Sequence, residues 1–125
     1  DYKANLNLGD LYVSMKQYRQ AGKQYLIVVE KYPVDYRVYG KLATLYYDYA
    51  KLDEAGKINK AMMVYEWGIK NADEKKVLYK DYAFFAENYA KDYAKAAAAL
   101  REYQKITGSV EEQEIERLEQ MMETR

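Results

Sequence analysis

The segment Leu8-Gly9-x-x-Tyr12, followed by Ala21, Tyr25 and Pro33, recurs in this chain as Leu42-Ala43-x-x-Tyr46 with Ala61 and Tyr65. The two copies begin 34 residues apart. A period of that length, with one small residue in each helix-sized stretch, restricts the fold sharply. Each copy holds two helices but cannot bury an apolar face alone, so neighbouring copies must stack. Stacked helix pairs present an extended surface rather than an enclosed cleft. The pattern points to a chain that holds another molecule rather than one that transforms it.

Apolar spacing divides the chain into about seven helices. The first carries Leu8, Leu11, Tyr12 and Met15 and ends near Lys16-Gln17. The second spans roughly 18–32, with Tyr18, Ala21, Tyr25, Val28 and Val29 on one face. It stops before Pro33, which cannot continue a helix interior. Asp35 is a suitable cap for the third helix, which carries Leu42, Ala43, Tyr46 and Tyr49.

A strict repeat would put the small residue of the fourth helix at position 55, but it falls at Ala61. The inserted residues, around Lys51-Leu52-Asp53-Glu54-Ala55, are mostly good helix formers. The spacing therefore predicts about two extra turns on the third helix, closed by Gly56 as a left-handed cap. The fourth helix, about 58–71, includes Met62, Tyr65, Trp67 and Ile69. Asp73 is placed to cap a fifth, about 74–90, with Tyr79, Tyr82, Ala83 and Ala86. A sixth, about 92–106, runs through Ala96 to Leu100 and Tyr103 and ends at Gly108. Ser109-x-x-Glu112 reads as a capping box. It would open a seventh helix with Val110, Ile115, Leu118, Met121 and Met122 on one side.

These residues resemble the tetratricopeptide repeat (TPR) family, two antiparallel helices per repeat. Leu8, Gly9, Tyr12, Ala21, Tyr25 and Pro33 match its pattern in the first repeat, with Asn5 where an aromatic is usual. Tyr39, Leu42, Ala43, Tyr46, Ala61, Tyr65 and Gly68 match it in the second, which lacks the closing Pro. The third is weaker, with Tyr79, Tyr82, Ala83, Ala96 and Leu100.

The resemblance implies an all-α right-handed superhelix of three antiparallel helix pairs plus a C-terminal capping helix. The repeats would cover about 2–35, 36–74 and 75–108 of a single domain 1–125, with the terminal helix at 109–125. That last helix reads equally as the start of a further repeat. Opening on Asp1 rather than Met, the chain reads as a piece of a longer protein.

Composition narrows the function further. There is no His and no Cys, which removes the usual general base, the thiol nucleophile and the imidazole or thiolate metal ligands. Ser14 and Ser109 have no base within the pattern, and no phosphate-binding glycine loop is present. Asp53-Glu54 and Asp73-Glu74 could hold a cation weakly, but acidic pairs at helix ends usually serve the helix dipole. The chain is therefore expected to be no enzyme and to need no cofactor and no metal.

Twenty basic and twenty acidic side chains balance, with 18 and 14 in residues 1–105 but 2 and 6 after them. Balanced charge without a basic stripe argues against nucleic acid. No apolar run is long enough to span a membrane, and the lack of Cys fits an intracellular, cytoplasmic protein.

In TPR arrays the first helix of each pair lines the concave face. The resemblance therefore implies a protein or peptide partner meeting Leu6, Asp10 and Val13, then Arg37, Lys41, Thr44 and Tyr47, then Lys80, Phe84 and Glu87, with Asp48 and Asn88 nearby. Some TPR modules clamp a C-terminal carboxylate with a Lys-Asn pair on the first helix. Here Leu6 and Asp10 stand in the matching places, which speaks against that use. The alternative to a binding groove is a spacer that stacks on neighbouring modules through Val110, Ile115, Leu118 and Met122. Trp67, the one Trp, is open to two readings, interface anchor or partly packed core residue.

Overall fold

The computed structural model describes residues 1–124. Among them every regular element is helical. They are α1 Tyr2–Ser14, α2 Tyr18–Lys31, α3 Arg37–Tyr49, α4 Glu54–Asn71, α5 Lys76–Phe85 with a π-helical continuation Ala86–Ala90, α6 Tyr93–Thr107 and α7 Glu112–Glu123. They gather into two compact units, Asp1–Glu74 with α1 to α4, and α5 to α7 from Lys75 onward. In the first, α1 pairs with α2, α3 pairs with α4, and α2 packs on α3. In the second, α5 pairs with α6, which also packs on α7.

Small residues set the spacing within the pairs. Ala21, Ala43, Ala61 and Ala96 are wholly buried, and Gly9 lies directly against the Tyr25 ring. The large side chains that fill the remaining space include Tyr39, Leu42 and Val28 in the first unit and Leu78, Ile115 and Leu118 in the second. Among the described residues every buried side-chain nitrogen or oxygen is partnered, as burial requires. The Tyr39 hydroxyl donates to the Pro33 carbonyl, and Gln24 Nε2 donates to the Asn5 carbonyl at 2.9 Å.

Four local expectations are corrected. The third helix is not extended, because α3 ends at Tyr49 and Ala50 is already in extended backbone. The inserted residues lengthen α4 instead. Asp53 caps it by accepting the Gly56 N–H at 2.7 Å, and Glu54 sits in the first turn. There its charge favours the positive end of the helix dipole. A carboxylate at the cap outweighs the small propensity differences that would have prolonged α3, so Gly56 lies in the first turn of α4 and closes nothing. Asp53→Ala is expected to destabilise the first unit by about 1 kcal/mol, read as an earlier midpoint in urea with an unchanged slope.

Asp73 does not cap α5. Its own N–H is tied to the Val34 carbonyl at 3.0 Å, and the helix begins at Lys76 without a side-chain cap. Nor does Ser109 form a capping box, since its hydroxyl bonds the Glu111 carboxylate at 3.2 Å and α7 opens only at Glu112. Finally, the Leu8, Leu11 and Met15 stripe is exposed, while Leu6 and Gly9 turn inward. Among the described residues no helix covers that face of α1, whereas the positions one period later, Leu42 and Leu45, are buried.

Candidate functional site

Within the first unit, the predicted surface residues divide by what they touch. Leu6 is a core side chain and leaves the candidate face; its helical position turns it under the pair rather than away from it. Asp10 accepts a hydrogen bond from the Tyr25 hydroxyl through Oδ1 and pairs with Lys41 Nζ at 3.1 Å through Oδ2. Burial, then this carboxylate, pushes the Tyr25 phenol well above its ordinary pKa. The acid that would repel a bound carboxylate is thus neutralised, but by the same lysine that would have attracted one.

Arg37 is held by Asp35 in a two-point contact, 3.1 Å to Oδ1 and 2.8 Å to Oδ2. Its guanidinium lies 4.6 Å from the centre of the Tyr2 ring. That contact with Arg37 holds the Asp35 carboxyl below the usual carboxylate range. Asp35 also accepts the Arg37 N–H at 3.0 Å, so the expected capping residue acts at the start of α3. Thr44 is exposed and Val13 half-buried. Tyr47, half-buried, donates to Glu54 at 2.8 Å, and Lys57 lies 5.7 Å from its ring centre. Asp48 is exposed.

In the second unit, Lys80 is 3.4 Å from Glu111 and 4.7 Å from the centre of the Tyr103 ring. Glu87 pairs with Arg117 at 2.8 Å, an ion pair that ties α7 to the end of α5. Asn88 turns back to the Phe84 carbonyl at 2.9 Å. Phe84 is the exception. It is 63 % exposed, and its ring stands edge-on to that of Tyr89, 6.5 Å away between centres. The face of α5 therefore presents an uncovered aromatic beside charges that are already matched.

Trp67 is packed on one side, its ring edge-on to Tyr39 at 5.6 Å, with 40 % of its surface exposed. It takes part in the core without being enclosed by it. Of the acidic pairs, Asp53 caps α4 and Glu54 meets Lys57 at 3.4 Å. Among the described residues no cluster of acidic side chains could hold a metal ion. No helix among them is long and apolar enough to cross a membrane. What the sequence does not signal are the pairings that match the cations, Lys41 with Asp10 and Lys80 with Glu111. Each joins residues 31 positions apart, and no local pattern reaches that far.

No family model matches the sequence, and neither does any curated protein. Solved structures do match. The Yersinia enterocolitica type III secretion chaperone SycD, in complex with a peptide of the translocator YopD, superposes with a TM-score of 0.63 at 15 % identity. That match covers 98 % of this chain and 89 % of SycD. The TPR2B domain of yeast Sti1, in its pHsp70 complex, gives a TM-score of 0.63 at 19 % identity, covering 99 % of this chain and 98 % of the domain. Small residues between paired helices, helix pairs in sequence order and nearly full-length superposition together give this chain an all-α fold of the TPR type.

Proposed function

We propose that the chain is a non-catalytic protein–protein interaction module. It holds a peptide or helical segment of a partner, or of its parent protein, on the first-helix faces of its repeats. The observation that carries this reading is Phe84, an aromatic side chain left 63 % exposed. Aromatic side chains, Phe among them, are enriched in interfaces relative to the rest of a protein surface. Tyr47 and Thr44 offer a smaller surface of similar chemistry on α3. The reading is supported by the two solved structures of like fold, each a complex with another protein or a peptide of one. Helices that are already formed lose little freedom on binding, which favours such a surface over a flexible loop.

Because Lys41 and Lys80 are matched internally, the segment they suit is chiefly apolar, not a carboxylate-terminated tail. A selection of displayed peptides against the whole chain tests this. Phe84→Ala is expected to weaken the selected peptides by about tenfold or more while leaving the helical circular dichroism unchanged. Peptides that bind wild type and variant alike would move the interface off α5, and a selection that enriches nothing would end the reading.

A further inference from the structure

A second surface lies in the first unit, apart from the candidate face. The start of α2, the end of α3 and the loop into α4 border an open groove of about 830 Å³. Five of its lining residues are cationic, namely Lys16, Arg19, Lys23, Lys51 and Lys60, and none is acidic. In a chain of zero net charge, such local concentration is not a by-product of composition. Among the described residues, Lys16, Arg19, Lys23 and Lys51 form no ion pair. They differ in this from Lys41 and Lys80 on the candidate face. Unmatched like charges repel one another unless something of opposite sign completes them.

The groove is also apolar between its charges. Leu26 and Leu52 are 41 % and 51 % exposed, and Leu45 lies beneath them as a buried floor. The tyrosines here are engaged. Tyr18 and Tyr49 stack on each other at 3.6 Å between ring centres, with planes 10° apart. Lys60 stands 4.4 Å over the Tyr46 ring. Single-stranded nucleic acid binds by stacking bases on open aromatic faces, and here those faces are already taken up in part by the protein. The aliphatic floor, by contrast, has no use for a phosphate backbone.

We infer that this groove is a docking site for an acidic peptide segment whose carboxylates meet the unmatched cations while one or two aliphatic side chains lie on Leu26, Leu45 and Leu52. The site is independent of the one proposed on Phe84, and either can fail without the other. The match is one of charge complementarity around an apolar centre, an arrangement that gives fast, salt-sensitive association.

The test uses a fluorescein-labelled peptide Asp-Glu-Leu-Glu-Asp-Leu-Glu-Glu, the same peptide with Ser for Leu, and oligouridine, titrated with the whole chain and followed by anisotropy. Saturable binding of the leucine peptide is expected, weakened about tenfold or more by Lys23→Glu with Lys51→Glu. It should also weaken as salt rises from about 50 to about 200 mM. The serine peptide should bind less well, and Phe84→Ala should leave binding unchanged. Equal binding by the charge-reversed variant, or no binding by about 1 mM, would overturn the inference. So would oligouridine binding more tightly than the peptide. Self-association of the chain that the charge reversal abolishes would overturn it too, assigning the groove to a second copy.

Discussion

Gly9→Ala is expected to destabilise the first unit, although alanine is the better helix former by about 1 kcal/mol in a helix interior. A Cβ at this position would stand 2.4 Å from Tyr25 Cε1 and 2.7 Å from Cδ1, well inside contact distance, so the ring has to move. It is not free to do so. Its hydroxyl is bonded to Asp10, the residue next to Gly9, and Asp10 is held in turn by Lys41. Overpacking of this kind costs about 1–3 kcal/mol, and a strained bond to a charged acceptor adds about 1.5–3 kcal/mol if it breaks.

The sum outweighs the gain in propensity, and the chain is expected to melt several degrees lower, at roughly 4 °C or more for each kcal/mol. Gly22→Ala is the control. There a Cβ would meet Leu45 Cδ2 at an ordinary 3.6 Å, so only the favourable propensity term remains and the melting temperature should rise. Two variants that shift the melting temperature in the same direction would refute the close-approach account of Gly9.

The contrast between these glycines shows what is legible in the chain alone. Gly9 and Ala43 stand one 34-residue period apart, and a repeat needs small residues where helices approach, so pairing follows from spacing. What covers each helix does not. Leu8 and Leu42 occupy the same repeat position, yet only Leu42 has a helix packed over it. Spacing describes one helix, while burial depends on its neighbour. For the same reason the resemblance implies a groove position for Leu6, whose side chain is buried in the core.

Boundaries depart from the sequence pattern where a single polar contact overrides propensity, as with Asp53 and the Gly56 N–H, or the Asp73 N–H and the Val34 carbonyl. On the candidate face, the residue types are legible but their matching is not. Whether a lysine is available to a partner depends on a carboxylate far away in sequence, as Asp10 is from Lys41.

Leu118→Lys separates the binding module from the spacer reading. Were α7 an exposed stacking surface, this change would abolish self-association and leave the fold intact. Instead Leu118 and Ile115 are 0 % and 2 % exposed within the second unit, while Val110 is 84 % exposed. Two of the four residues assigned to a stacking surface are therefore engaged in closing the core of their own unit. Placing an ammonium at position 118 removes the packing of a buried leucine, worth about 2–5 kcal/mol, and adds the cost of desolvating a charge.

The helix is expected to detach, and with it the Arg117 pairing to Glu87 and the Arg101 pairing to Glu119. Hydrogen exchange reads this directly. Amides of α7 should become unprotected, and those of α5 and α6, the helices of its own unit, should lose protection. A variant that keeps α7 protected but turns a self-associating chain into a monomer would favour the spacer reading instead. The physical distinction is whether the apolar side of α7 serves this chain's own core or another's.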